Sequence, residues 1–310
     1  MIQLPDRVVA TVSRYPSGRD WLSRLPALVA ELTRAWRLEI GSVFHSGSCA
    51  WVAPVTRADG SRAVLKVSWP HREAEGEPDA LRRWNGDGVV RLLAHDPQRH
   101  ALLLERCQPG TTLGQAEHLS VPRRLTVGAT ILLRLWQADT AAASFDRLSE
   151  VAVRWADLVE ERMERLRARL GPGENFDAGL VRHGVRLLRE LPRTARRDVL
   201  LHGDINPGNV LAADRRPWLA IDPKPMVGDP AYDPWPLIEQ IDDPVRGPFS
   251  TLVERTQLVA DAVGEDRRRI AAWAVARRVE AALWDAAHGA IDSAAETMAR
   301  VRVLARLAEL

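Results

Sequence analysis

Cysteine and lysine are nearly missing: 310 residues contain only Cys49, Cys107, Lys66 and Lys224 of these two types. The cysteines lie far apart, without partners at metal-ligand spacing. That argues against a disulfide framework and points to a reducing cytoplasm. Long apolar runs are also missing. None approaches the roughly 18 to 20 residues that cross a bilayer. Residues 1–10 mix acidic and basic side chains without an apolar core, so neither a signal peptide nor a membrane partner is expected. Charge of one sign is missing too, since 43 basic residues meet 41 acidic ones for a net +2. No basic stripe interleaves with aromatics, and no nucleic-acid partner is expected. Internal repeats and low-complexity tracts do not occur. Apolar residues make up 46% and charged residues 27%, an ordinary globular balance that excludes disorder, collagen-like repeats and coiled coil.

A chain of this length can fill one large domain or two lobes. Its basic residues are almost all arginine, which reflects base composition rather than a polyanionic partner. Each lysine therefore merits a check for chemistry that a guanidinium cannot supply.

Trp21, Leu25, Leu28, Leu32 and Trp36 recur at helical spacing and predict a helix over Asp20 to Leu38, which Pro26 either starts or kinks. The texture then changes. Val52–Val55 and Ala63–Val67 read as strands joined by a turn at Ala58-Asp59-Gly60-Ser61. A short helix over Pro78 to Trp84 stops at Asn85-Gly86-Asp87-Gly88, and Val89–Leu93 and Ala101–Glu105 read as two further strands. Beyond Cys107 the pattern is helical. One stripe runs through Leu125, Ala129, Leu132, Leu133 and Trp136, with Ser120 and Pro122 as start signals. A second runs from Trp155 to Leu170 and breaks at Gly171-Pro172-Gly173. Two long helices are expected near Arg267 to Ala287 and Asp292 to Leu307. The fold class is thus α+β, with a small β-rich lobe over residues 1–105 and a larger, mainly helical lobe over 106–310. Trp36, Trp136 and Trp155 read as core; His183 and His288 read as structural or solvent-facing.

One insert differs in character. It reads Leu201-His202-Gly203-Asp204-Ile205-Asn206-Pro207-Gly208-Asn209 and then Ile221-Asp222-Pro223-Lys224-Pro225. An aspartate follows a strand, an asparagine comes five residues later, and a second aspartate closes another strand thirteen residues after that. Phosphoryl transfer from ATP needs these groups. One carboxylate orients the attacking hydroxyl and takes its proton, while an amide and a second carboxylate hold metal ions on the phosphates. Asp, Asn, Pro and Gly also simply make turns, but the histidine, the spacing and the second strand favour catalysis. The pattern matches H-R-D-x-x-x-x-N with Gly203 in place of arginine. Val210–Ala213 and Trp218–Ile221 read as the hairpin that returns Asp222 to Asn209. Lys224 either touches a phosphate or faces solvent.

Lys66, in Ala-Val-Leu-Lys-Val, resembles the strand lysine that binds nucleotide phosphates. Its pinning glutamate should come from the next helix, with Glu77 first and Glu73 second among Glu73, Glu75 and Glu77. Ser46, Gly47 and Ser48, in the loop Phe44–Ala50, are candidates to cap phosphates with backbone amides. Leu103–Arg106 sits at the lobe junction, where main-chain groups can read an adenine edge. That places Glu105 and Cys107 among the nucleotide-binding candidates, although the Cys107 side chain reads as packing.

These residues resemble the aminoglycoside phosphotransferases, and most closely the branch of streptomycin 6-kinases grouped with hydroxyurea phosphotransferases. The similar stretches are Leu25–Val29, Trp84–Leu93, Leu102–Glu105, Leu201 to Trp235 and Leu283-Trp284-Asp285. The resemblance implies a two-lobed, protein-kinase-like fold, ATP as donor, Mg²⁺, and a small cationic aminoglycoside acceptor. It makes Asp204 the base, Asn209 and Asp222 the metal ligands, and Lys66 the nucleotide lysine, with His202 and Asp229 supporting the catalytic loop. Two departures stand out: Ile205-Asn206-Pro207-Gly208 replaces the branch's leucine-histidine start, and the phosphate loop lacks a glycine fingerprint.

A protein kinase is excluded, because only six residues separate Asp222 from Asp229 and no A-P-E follows. A kinase of another small hydroxylated molecule, such as hydroxyurea, a cyclitol or an amino alcohol, shares the same parts. A non-enzymatic nucleotide binder would have lost one of them. A guanidinium-bearing acceptor needs carboxylates, and Asp229, Asp233, Glu239, Asp242, Asp243 and Asp285 are available. Asp233, Glu239 and Asp285 are the expected acceptor contacts. Oligomeric state is not written in the sequence; a monomer is the default.

Overall fold

The structure, a computed structural model, describes residues 2–45, 47–140, 145–170 and 176–310, apart from the side chains of residues 73, 169 and 170. It divides into two compact units. Met1–Thr111 joins with Leu211–Ile221, and Thr112–Val210 joins with Asp222–Leu310. The first unit thus extends past residue 105 and takes in a hairpin from the later chain.

In the first unit, helices α1 (Asp6–Val12) and α2 (Pro16–Trp36) precede strands β1 (Leu38–Ile40), β2 (Ala50–Arg57) and β3 (Arg62–Ser68). Short helices α3 (Arg72–Glu75) and α4 (Glu77–Trp84) follow, then β4 (Leu92–Asp96) and β5 (Ala101–Glu105). The antiparallel sheet runs β1-β2-β3-β5-β4. Helix α2 buries Trp21, Leu25, Val29 and Leu32 among Trp51, Ala53, Val55, Leu65 and Val67 of the sheet. Pro26 lies inside this helix, neither starting nor ending it. The expected strand over Val89–Leu93 is displaced: β4 begins at Leu92, and Val89 instead makes a parallel bridge to Ala220.

The second unit contains α5 (Val121–Leu135), α6 (Leu148–Leu170) and α7 (Ala178–Glu190), followed by β6 (Val199–Leu201), which leads into the catalytic segment. Strands β7 (Val210–Ala212) and β8 (Trp218–Ala220) form the hairpin that from Leu211 on belongs to the first unit, and β9 (Met226–Gly228) returns antiparallel to β6 in the second. Helices α8 (Trp235–Gln240), α9 (Phe249–Val263), α10 (Arg267–Ala287) and α11 (Ile291–Leu307) complete it. Helix α10 is the centre of this unit. Its run Ile270–Ala276 is buried throughout, and its many alanines let α6, α7, α9 and α11 pack around it. The break expected at Gly171-Pro172-Gly173 lies outside the described residues.

Candidate active site

In the first unit, Lys66 sits in the middle of β3, paired with Val52 on one side and Leu102 on the other. Its ammonium meets both oxygens of Glu77, Nζ to Oε2 at 2.6 Å and to Oε1 at 2.8 Å. Glu77 is the first residue of α4, so the helix start fixes its backbone. Both groups are buried, at 7% and 2% exposure. A buried ion pair persists when its geometry is bidentate, and this one fixes the ammonium as a point charge. Glu75 is exposed; the Glu73 side chain and Ser46 lie outside the described residues. Gly47 and Ser48 are half-buried in the loop before β2, and Ser48 Oγ donates to Cys49 Sγ.

In the stretch expected to read an adenine edge, Glu105 has partners within its own unit. The Glu105 N–H donates to the Arg91 carbonyl (2.9 Å). Its carboxylate binds Arg215 through Nε (2.7 Å) and Nη2 (2.9 Å), and accepts from the Arg91 N–H. Burial works to raise the Glu105 pKa, but these hydrogen bonds outweigh it and hold the carboxyl below its usual range. The Glu105 side chain is therefore an anchor for the hairpin. Arg215, at the hairpin tip, also reaches the carbonyls of Gly86 (2.8 Å) and Val89 (2.9 Å). The Trp84–Val90 run, which carried part of the resemblance, is thus a seat for the β7–β8 hairpin. Cys107 is buried and its thiol is pushed up to about 12, chiefly by desolvation. It remains a protonated packing residue.

The second unit holds the loop expected to be catalytic. His202 follows β6 and is fully buried, and its Nδ1 accepts from the Asp204 N–H at 3.3 Å. Gly203 has φ +80°, and a Cβ there would stand 2.0 Å from the Lys224 carbonyl oxygen. The arginine of the kinase pattern has no room at this position. Asp204 Oδ1 accepts from Asn206 Nδ2 (3.1 Å), and Oδ2 pairs with Lys224 Nζ (3.2 Å). Asn206 also caps the turn at Pro207–Asn209 through the Gly208 N–H. Asn209 spends its amide nitrogen on the Asp204 carbonyl (2.9 Å), which leaves its amide oxygen as the remaining donor to a cation. Asp222 is exposed, with φ +57°. Asn206 and Lys224 are the functional neighbours that motif reading did not assign. The scarcity of lysine was the available signal for the second.

Three carboxylates expected around the acceptor divide differently. Asp233 is 1% exposed and braces the loop from behind. It accepts from the N–H groups of His202 (2.9 Å) and Gly203 (2.8 Å) and from Trp136 Nε1 (3.1 Å). Burial raises its pKa to about 6 against these stabilising donors. Glu239 is 3% exposed and is paired with Arg278. Neither presents a surface to an acceptor, because each is enclosed with internal donors. Asp285 is half-buried and accepts from Ser293 Oγ (2.8 Å). Asp229 is buried, accepting from Trp273 Nε1 (2.6 Å), Arg269 Nε (2.8 Å) and the Ala231 N–H (3.1 Å). It ties the end of β9 to α10.

Among the described residues, no group of three or more His, Cys, Asp or Glu could hold a metal ion. Magnesium takes one or two protein oxygens and completes its shell with phosphates and water. The amide oxygen of Asn209 and the carboxylate of Asp222 are such hard donors.

Residues 35–289 match the family model described as aminoglycoside/hydroxyurea antibiotic resistance kinase. Streptomycin 6-kinase of Streptomyces glaucescens is 36% identical over 307 residues, covering 97% of each chain. Hydroxyurea phosphotransferase of Kitasatospora aureofaciens is 37% identical over 310 residues, covering 98% of this chain and 86% of that enzyme. Spectinomycin phosphotransferase, solved with ADP and spectinomycin, superposes with a TM-score of 0.59 at 12% identity, covering 92% of this chain and 98% of that one. The fold is protein-kinase-like. With the family pattern matched across most of its length, this chain belongs to the aminoglycoside/hydroxyurea antibiotic resistance kinases.

Proposed function

We propose that this enzyme transfers the γ-phosphoryl group of ATP to the 6-hydroxyl of streptomycin or a close aminoglycoside relative, and so confers resistance. The observation that carries the chemistry is Asp204, whose carboxylate is aimed by Asn206 and Lys224 beside the oxygen donors of the same loop. In this reading, the first unit binds nucleotide and the second binds the acceptor. Lys66 takes the α- and β-phosphates, with Glu77 preventing its ammonium from swinging away. Asn209 and Asp222 hold magnesium, which when bound draws charge off the phosphates. Asp204 accepts a hydrogen bond from the acceptor hydroxyl, orients its oxygen toward phosphorus, and takes the proton as the new P–O bond forms. The loop's frame does not have to move for this, because His202 and Gly203 are fastened to Asp233.

The choice of streptomycin rests on the full-length similarity to streptomycin 6-kinase. A second reading, hydroxyurea as acceptor, is favoured by the equally extensive similarity to hydroxyurea phosphotransferase. The test is magnesium-dependent ATP consumption with a panel of streptomycin, other aminoglycosides, cyclitols, choline and hydroxyurea, with each product analysed by mass spectrometry. Phosphorylated streptomycin is the expected product. Turnover confined to hydroxyurea selects the second reading, and ATP consumption with none of the panel overturns both.

A further inference from the structure

We propose that Lys224 is a second phosphate-handling lysine: it holds Asp204 in the resting enzyme and engages the phosphoryl group during its transfer. The inference rests on the phosphotransferase reading above. Lys224 Nζ lies 3.2 Å from Asp204 Oδ2, the carboxylate that meets the acceptor hydroxyl. Its chain position is two residues past Asp222, the carboxylate assigned to the phosphates through the metal. The ammonium is therefore held on the carboxylate that meets the acceptor, in the segment that also carries the proposed metal ligand.

The placement is built in, not a chance encounter of a long side chain. The Lys224 N–H donates to the His202 carbonyl at 2.8 Å. Its own carbonyl oxygen occupies the space that a Gly203 side chain would need. The backbone at residue 224 is thus fastened to the loop just before Asp204 and packed against Gly203, whose missing side chain permits the approach. The side chain itself is partly open to solvent, with 42% of its surface exposed. An ammonium carries three donors on one rotatable carbon, so it can serve a carboxylate and a phosphoryl oxygen in turn.

The chemistry calls for a cation at this place. In the transfer step the acceptor O–H bond breaks and its proton goes to Asp204. The acceptor oxygen forms a bond to phosphorus, and the bond from phosphorus to the bridging β-phosphate oxygen breaks, its electron pair leaving with ADP. Asp204 thereby loses the charge that held Lys224, while the equatorial phosphoryl oxygens carry charge through the transition state. The ammonium is released where it is next needed. A chain that writes arginine at all but two of its 43 basic positions keeps lysine here, where a rigid planar fork could not turn between the two partners.

The test compares Lys224→Met and Lys224→Arg with the parent enzyme. Two quantities are read: kcat at saturating substrates, and affinity for ADP alone against ADP with fluoroaluminate, magnesium and acceptor, which mimics the moving phosphoryl group. Lys224→Met should keep the parent's affinity for ADP but lose about ten- to a hundredfold of its preference for the fluoroaluminate complex, the range for a hydrogen bond between charged groups. Its kcat should fall in parallel, and Lys224→Arg should recover part of both. If Lys224→Met does not fold, as judged by thermal melting, Lys224→Gln carries the same comparison. An unchanged preference for fluoroaluminate, or equal weakening of ADP and the complex, overturns the proposal for Lys224 alone. A parent enzyme that phosphorylates no acceptor overturns the function on which it rests.

Discussion

Asp204, the proposed base, has both carboxylate oxygens already engaged, one by Asn206 and one by Lys224. Such a group is pre-aimed, and its removal should cost chemistry and not nucleotide binding. Asp204→Ala should lower kcat by about a hundred- to ten-thousandfold while the dissociation constant for Mg·ATP stays within about threefold, read by steady-state kinetics and nucleotide titration. Asp233 behaves differently because it is enclosed. Its folded pKa of about 6 stands above the ordinary 3.8. A raised acid of this kind contributes stability below its unfolded value and loses it as pH rises through 6. Relative to Asp233→Asn, which cannot titrate, the parent should therefore gain about 2 kcal/mol between pH 7 and pH 4.5, measured by urea unfolding. The contrast marks what single residues reveal in sequence. Asp204, Asn209, Asp222 and Lys66 stand out because the reaction dictates their spacing. Asp233 and Glu239 looked like acceptor contacts because nothing in sequence tells which carboxylates a core encloses; their donors lie far along the chain, at Trp136 and Arg278.

At the scale of elements, the catalytic loop and the β2–β3 hairpin offer a controlled comparison of glycines. Gly203 and Gly60 have nearly equal backbone angles, φ +80° and φ +78°. Around Gly60 there is nothing within 4 Å, whereas at Gly203 a Cβ meets the Lys224 carbonyl. Gly60→Ala should cost about 1 kcal/mol from backbone strain alone. Gly203→Ala should cost at least about 3 kcal/mol and abolish turnover, because the loop must shift to relieve the clash. Urea unfolding and a turnover assay read the pair. Elements with one clear face were legible: α2, α5, α6, α10 and the strands around Lys66 appear close to where periodicity puts them. Helices α7 and α9 were not anticipated. The first carries two glycines, and the second is rich in Val and Thr, so neither has strong intrinsic helix preference; tertiary packing holds them instead. Strand β4 shifted because Val89 and Val90 are drawn to the hairpin at Ala220, a pairing across 130 residues of chain that no local pattern shows.

Over the whole molecule, near-neutral net charge conceals how thoroughly the carboxylates are matched by arginine. Arg278, Arg300, Arg124 and Arg246 engage Glu239, Asp243 and Asp242 in the very segment expected to receive a polycation. Asp285, whose carboxylate accepts from the Ser293 hydroxyl, is the candidate left for a guanidinium. Asp285→Asn should raise the acceptor KM about tenfold and leave the nucleotide KM unchanged, as separate substrate titrations will show. The arginine habit has another outcome. Both side-chain amines of the chain belong to the proposed catalytic machinery, Lys66 at 7% exposure and Lys224 on a side chain 42% open to solvent. Reagents that acylate amines, harmless labels on most proteins, will here act as inhibitors. Lys224 should react first, and coupling through amines to a dye or a sensor surface will extinguish the activity being measured.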